Sequence, residues 1–419
     1  MKLLTGSKIL LLDYFFVFCL VIYGGNATMF TRGYGNILHI GAYLPILYAI
    51  IIGIRHKMTI STNFVVSIVV FVIYYVLASI TNNYFSMGFI SYWIITLFIS
   101  YVVCKCYGVR YLELFETIIF HLSVIAIIMW LLYMAMPDGL MNICRKIQFS
   151  KSFESSVDVV NIIVYTLLDF DQSGDEYYMF YRNSGFAFEP GAYACFLCFA
   201  IACNIIRNKG LKIKGNYPLL VFLLALFSTE STTGGISLII ILVLWVIANL
   251  RTSRTYLYLL LLVPIVIWIL NQGFVGDKLI NEFDASQELS YTSANDSGAS
   301  RMMSFRLYLE EFKARPLFGL AGDPNTILES RGYQYSLHSG IGKLLAGYGI
   351  IMTILFSLLC ALSNKLLNSI QGKNGIVLLG ALIGSMVSYS MWEYPVFFAF
   401  IMLGFFCFPK NQSYQDNNS

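Results

Sequence analysis

The chain has 419 residues, 58% of them hydrophobic and only 12% charged. Soluble domains carry roughly a quarter charged residues, so this composition excludes a soluble enzyme, a secreted scaffold and a nucleic-acid binder. The net charge of +4 says little until it is divided between two faces of a membrane.

In chain order, uncharged apolar runs predict helices over 9–25, 36–54, 62–80, 87–107 and 116–136, several of them near the ~20 residues that span a bilayer. Further runs follow at 189–206, 217–230, 234–250, 255–271, 337–362, 374–390 and 394–408. The first, behind Lys2 and Lys8, reads as a retained helix, because cleaving it as a signal peptide would break the charge parity. Alternate short connections carry Lys2 and Lys8, Arg55 and Lys57, Lys105 and Arg110, Arg207 to Lys214, Arg251 and Arg254, Lys365 and Lys373, then Lys410. The opposite short connections contain Arg32 alone. Basic residues mark cytoplasmic loops, so the prediction is an all-α polytopic membrane protein of about 12 transmembrane helices, with both termini cytoplasmic.

The whole chain, 1–419, is then one integral membrane domain with two long outward-facing loops, 137–188 and 272–336, where most of the acidic residues lie. Within the first, Val157, Val160, Val164, Leu167 and Leu168 recur at helical spacing and predict a helix along the membrane interface. In the second, Met302, Phe305, Leu309 and Phe312 predict a helix that Arg315-Pro316 ends. No internal repeat suggests the inverted symmetry of a transporter. The nine cysteines lie almost all in apolar segments and form no disulfide framework; Cys195 and Cys198 read as helix packing.

Polar residues gather at three places. Arg182-Asn183-Ser184-Gly185-Phe186-Ala187-Phe188-Glu189-Pro190-Gly191 leads straight into a predicted helix. Pro190 suits a first helical turn, and Glu189 suits the positive helix end either as a cap or as a carboxylate held beside an arginine. Arg301-Met302-Met303-Ser304-Phe305-Arg306 follows, where Arg306 fits an ordinary pair with Glu310 and Arg301 has no acid at that spacing. Then come Arg331, His338 and Lys343, entering the tenth span. A lysine one or two turns into a span is costly; it either snorkels outward or serves a function. Asp169, Asp171, Asp175 and Glu176 faintly resemble a cation loop but do not complete one. Arginines at a membrane boundary suit an anionic lipid-anchored substrate, since the guanidinium matches a diphosphate by paired hydrogen bonds.

These pieces resemble the O-antigen polymerase family, within the superfamily that also includes O-antigen ligases. The resemblance rests on Arg182–Gly191, the Thr229–Gly235 turn, and Arg301–Arg306 followed by Arg315-Pro316-Leu317-Phe318-Gly319. It continues through His338-Ser339-Gly340 and Leu344-Leu345-Ala346-Gly347-Tyr348-Gly349. The spacing of Arg331 and Gly342 also fits an arginine-glycine pattern of some of these polymerases, which Arg182 lacks because position 193 is Tyr. The resemblance implies a membrane-embedded glycosyltransferase (GT-C-like) fold in the bacterial inner membrane, with a periplasmic active site between the loops. Its reaction joins oligosaccharide repeat units carried on undecaprenyl diphosphate, with inversion and without metal or cofactor. Arg182, Arg301 and Arg306 would hold the diphosphates and Glu189 or His338 the acceptor hydroxyl, while Arg331, Lys343, Arg315 and Tyr181 bind substrate. A chain-length regulator protein is the implied partner. The ligase branch shares the His338 region, but Ser339 stands where ligases usually have Asn. A flippase or other transporter is the alternative from a different class.

Overall fold

A computed structural model describes residues 9–28, 40–149, 158–169, 181–250, 263–264, 266–287, 301–321 and 338–407. The protein is mostly helical. The first half contributes α1 (Leu11–Gly25), α2 (Ile40–Arg55), α3 (Thr62–Asn82), α4 (Met87–Tyr107), α5 (Tyr111–Ala135) and α6 (Pro137–Lys146). After a two-stranded hairpin come α7 (Pro190–Arg207), α8 (Tyr217–Ser228), α9 (Thr232–Asn249), α10 (Gly276–Gln287) and α11 (Arg301–Ala314). The chain closes with α12 (Gly340–Gln371), α13 (Ile376–Met386) and α14 (Pro395–Cys407).

Among the described residues five helical stretches are long and apolar enough to cross a bilayer: Thr62–Asn82, Met87–Ala135, Pro190–Arg207, Thr232–Asn249 and Gly340–Met386. The second and fifth hold two helices each, α4 with α5 and α12 with α13, joined through single 3₁₀ turns. Shorter apolar helices are α1, Tyr43–Arg55, α8 and α14. The predicted spans at 62–80 and 87–107 coincide with α3 and α4 almost to the residue. Most of the span predicted at 255–271 lies outside the described residues.

Burial separates the helices by role. In α7, 94% of the span is buried, against 33% in α3. α7 is built from Gly, Ala and Cys between phenylalanines, and packs against α5, α8, α9 and α13. Small residues let neighbouring backbones come close where no lipid intervenes. α3 instead shows Val65, Val66, Val69 and Ile73 on its outer side, the β-branched surface expected against lipid. Cys195 and Cys198 stay free thiols and donate to the carbonyls of Gly191 and Gly234. Gly380 and Gly384 of α13 rest on Ile241 and Ser237 of α9, as their GxxxG spacing suggests.

The residues predicted to form an interfacial helix within 153–170 include an antiparallel hairpin, β1 (Asp158–Asn161) and β2 (Thr166–Asp169), with Asn161 opposite Thr166. The β-branched run carries strand propensity, and tertiary contacts decide in its favour. The Asn161 side-chain amide donates to Thr166 Oγ1 at 2.8 Å, and Thr166 N–H donates to the Gly185 carbonyl at 2.6 Å. The hairpin thus braces the loop that carries Arg182.

Candidate active site

The Arg182–Gly191 stretch is held from several sides. Phe188 N–H donates to the carbonyl of Gly25, the last residue of α1, at 2.9 Å. Asn183 N–H and its side-chain amide reach the Ser228 carbonyl and hydroxyl, each at 2.9 Å. Arg182 Nε donates to the Thr229 carbonyl at 3.2 Å. The Trp130 indole donates to the Tyr181 carbonyl at 2.6 Å, and the half-buried Tyr181 ring lies 4.8 Å from that of Tyr133. Two motifs far apart in sequence, the Arg182 stretch and the Thr229–Gly235 turn, therefore meet. That turn is buried from Ser228 to Thr233, including Glu230, whose φ is +43°. The Thr233 and Ser388 hydroxyls share a 2.6 Å hydrogen bond, and Thr232 donates to the Phe274 carbonyl.

Where α7, α11 and α12 begin, Glu189, Arg301, His338 and Tyr389 form one electrostatic group. Tyr389 was not singled out from the sequence. Its hydroxyl lies within the electrostatic reach of Glu189, while its side chain packs on Gly191 so closely that a Cβ there would strike it. The side chain of Ser304, one turn into α11, accepts from the His338 backbone N–H at 3.0 Å. Ser339 caps α12 by accepting from Gly342 N–H at 3.2 Å. His338 is open to solvent on one side, yet desolvation by the protein around it pushes its pKa below the ordinary 6.5. Glu189 opposes that shift and the Arg301 cation reinforces it.

The other predicted site residues fall elsewhere or in other company. Arg306 lies on the exposed face of α11, and Arg315 is paired with Glu311 at 3.2 Å. Lys343 is buried, with Nζ 2.8 Å from Glu393 Oε2. The other oxygen of that carboxylate accepts from Tyr348 at 3.0 Å, and Tyr348 in turn accepts from the Trp93 indole at 3.0 Å. Lys343 and Glu393, each odd at membrane depth alone, are each other's partner. Arg331, Asp171, Asp175 and Glu176 lie outside the described residues, and of Asp169 only the backbone, in β2, is described.

α12 breaks at Gly349, whose φ of +67° no bulky residue adopts without strain. The segment after Arg315 fills the break. Leu320 N–H donates to the Ala346 carbonyl and Ile350 N–H to the Pro316 carbonyl, both at 2.8 Å. The Tyr74 hydroxyl lies 2.8 Å from the carbonyls of both Phe318 and Tyr348. The Arg315–Gly319 and Gly347–Gly349 motifs are thus one joint, which fixes α11 and hence Arg301 against α12.

Residues 217–357, from α8 to the middle of α12, match the family model described as O-Antigen ligase. The match supports the O-antigen polymerase/ligase superfamily, and the apolar helices support a multi-pass membrane protein. No curated protein and no solved structure matches the chain.

Proposed function

We propose that this protein is an O-antigen polymerase, which joins undecaprenyl-diphosphate-linked oligosaccharide repeat units on the periplasmic face of the inner membrane. The observation that carries the reading is the group formed by Glu189, Arg301 and His338 where three helices begin. It sits beside the Arg182 loop, in a chain whose α8–α12 stretch matches an O-antigen ligase family.

In this reading Arg182, Arg301 and Arg306 bind the diphosphates, with Tyr181, Arg315, Arg331 and Lys343 shaping or supporting the substrate site. His338, neutral at pH 7 because its pKa is lowered, takes the proton of the acceptor sugar hydroxyl. That oxygen attacks the anomeric carbon of the growing chain. The bond from this carbon to the diphosphate oxygen breaks, and its electron pair leaves with undecaprenyl diphosphate. Direct displacement inverts the anomeric centre. Glu189 favours the imidazolium as it forms. The arginines neutralise the leaving group, so no metal is required by this scheme.

The test is transfer between purified lipid-linked repeat units. Arg301→Ala is expected to lower kcat by roughly 10²–10³, the effect of removing one donor from a developing negative charge. His338→Ala is expected to lower it by roughly 10²–10⁴. Unchanged rates in both variants would remove the site from the reaction. A second reading, ligation of glycan to the lipid A core, is favoured by the description of the matching family. Surface lipopolysaccharide from cells lacking the gene decides between them. Core bearing a single repeat unit means polymerase, and core bearing none means that ligation or flipping is the missing step.

A further inference from the structure

Tyr389 lies in the turn between α13 and α14 and touches the heads of two other helices. Its backbone carbonyl rests on Gly340, the first residue of α12, so closely that a Cβ there would strike it. Its hydroxyl rests in the same way on Gly191, in the first turn of α7. The turn itself is held on several sides. Tyr389 N–H donates to the Ser385 carbonyl at 2.9 Å, the neighbouring Ser388 is bonded to Thr233 at 2.6 Å, and the Tyr389 and Phe188 rings meet edge to face at 6.4 Å. The tyrosine therefore fixes the head of α7, which Glu189 precedes, against the head of α12, which His338 and Ser339 precede.

Glu189 occupies the cap position of α7, yet its side chain makes no capping hydrogen bond. Holding the helix end is thus not what engages this carboxylate. The groups that act on the Tyr389 hydroxyl are Glu189 and Cys195 from α7 and its cap, and Arg301 from the start of α11. Glu189 and Arg301 also act on His338, while Lys343, the next cation along α12, is taken by Glu393. Burial above all, and then Glu189, push the Tyr389 pKa well above the ordinary 10, so its hydroxyl keeps its proton at neutral pH. A protonated phenol beside a carboxylate can only donate to it, and such a charge-assisted bond fixes the carboxylate's direction as well as its charge.

We infer that Tyr389 is a positioning residue of the site, whose hydroxyl donates to the Glu189 carboxylate and holds it towards His338. The inference rests on the reading of His338 as the base of the proposed reaction. The chain has four histidines. In full-length protein with isotope-labelled imidazoles, held in lipid nanodiscs, the resonance lost in His338→Ala reports the titration of His338. Its midpoint is expected to fall in Tyr389→Phe, which keeps the ring and removes only the hydroxyl, because a carboxylate no longer held serves the imidazolium less. Glu189→Gln should lower the midpoint too, and adding Tyr389→Phe to it should lower it no further. Turnover in Tyr389→Phe is expected to drop roughly 10–100-fold, the effect of one hydrogen bond to a charged group. Gly191→Ala, whose Cβ displaces the hydroxyl while every side chain of the site is retained, should repeat the shift and serves if Tyr389→Phe does not fold. A midpoint that stays or rises in Tyr389→Phe overturns the inference, as does a further fall in the double variant. The titration requires no turnover, so the expected shift together with full activity in His338→Ala rejects the proposed reaction alone. An unmoved midpoint with an inactive His338→Ala rejects only the role of Tyr389.

Discussion

His338 carries opposing influences that can be separated by titration. Desolvation and Arg301 favour the neutral imidazole, while Glu189 favours the cation. The folded state holds the proton less tightly than the unfolded chain, so this residue's contribution to stability is complete above pH 6.5 and declines as pH falls towards the lowered value. A base must also be unprotonated, so the acidic limb of kcat/KM is expected to have its midpoint below 6.5. Glu189→Gln removes the influence that raises the value and should move the limb to still lower pH; Arg301→Gln should move it upward. A limb that stays in place in both variants would mean that another group titrates. The basic and acidic members of this group were readable as residue types next to helix starts. Tyr389 was not, because nothing in an uncharged run distinguishes it from a core aromatic. Its place depends on Gly191 and Glu189 meeting it from another part of the chain.

Between elements, the Lys343–Glu393 pair ties α12 to the turn before α14 in surroundings where an isolated charge is expensive. Lys343→Met alone, which strands the carboxylate, is expected to cost about 3–5 kcal/mol. Lys343→Met combined with Glu393→Leu should cost far less than the sum of the single changes, with Tyr348 left to lose one hydrogen bond worth about 1–3 kcal/mol. Thermal denaturation of the purified single and double variants measures the coupling, and additive losses would show that the pair is not a unit. Lys343 was visible in the sequence as an anomaly, but its pairing with Glu393 joins positions 50 apart. The same limit explains the hairpin: Val160, Leu167 and Leu168 satisfy helical spacing as well as two short strands, and bonds from elsewhere in the chain decide, such as the one to the Gly185 carbonyl and the one the Tyr133 hydroxyl donates to the Leu168 carbonyl. Spans such as α3 and α4 were legible because one apolar run, bounded by capping serines, suffices to specify each.

For the whole molecule, two buried acids with arginine partners lie at the end opposite Glu189. Asp13 pairs with Arg55 at 2.9 Å, and Glu116 with Arg207 at 2.6 Å. Together with the lysines of the neighbouring connections, they mark the face predicted to be cytoplasmic. With the native cysteines replaced, Ile143→Cys on α6 and Ile213→Cys beyond α7, both exposed positions, test that orientation. A membrane-impermeant maleimide should modify the first in intact spheroplasts and the second only after lysis. The reverse pattern would invert the topology.

The screening of α7 from lipid has a further consequence. A helix in contact with lipid answers a thinner or thicker bilayer by tilting, and α3, only 33% of whose span is buried, is the more exposed to that force. α7 touches protein on all sides, and it carries Glu189 at its head and Arg207 at its foot. Strain from a change of membrane thickness should therefore be taken up in the outer ring of helices before it reaches the reacting groups. Turnover in vesicles of graded acyl length is expected to stay nearly level where the tilt of α3, followed by a spin label, changes steadily. The protein would then work alike in membranes of differing composition, its chemistry insulated from the solvent that holds it in place.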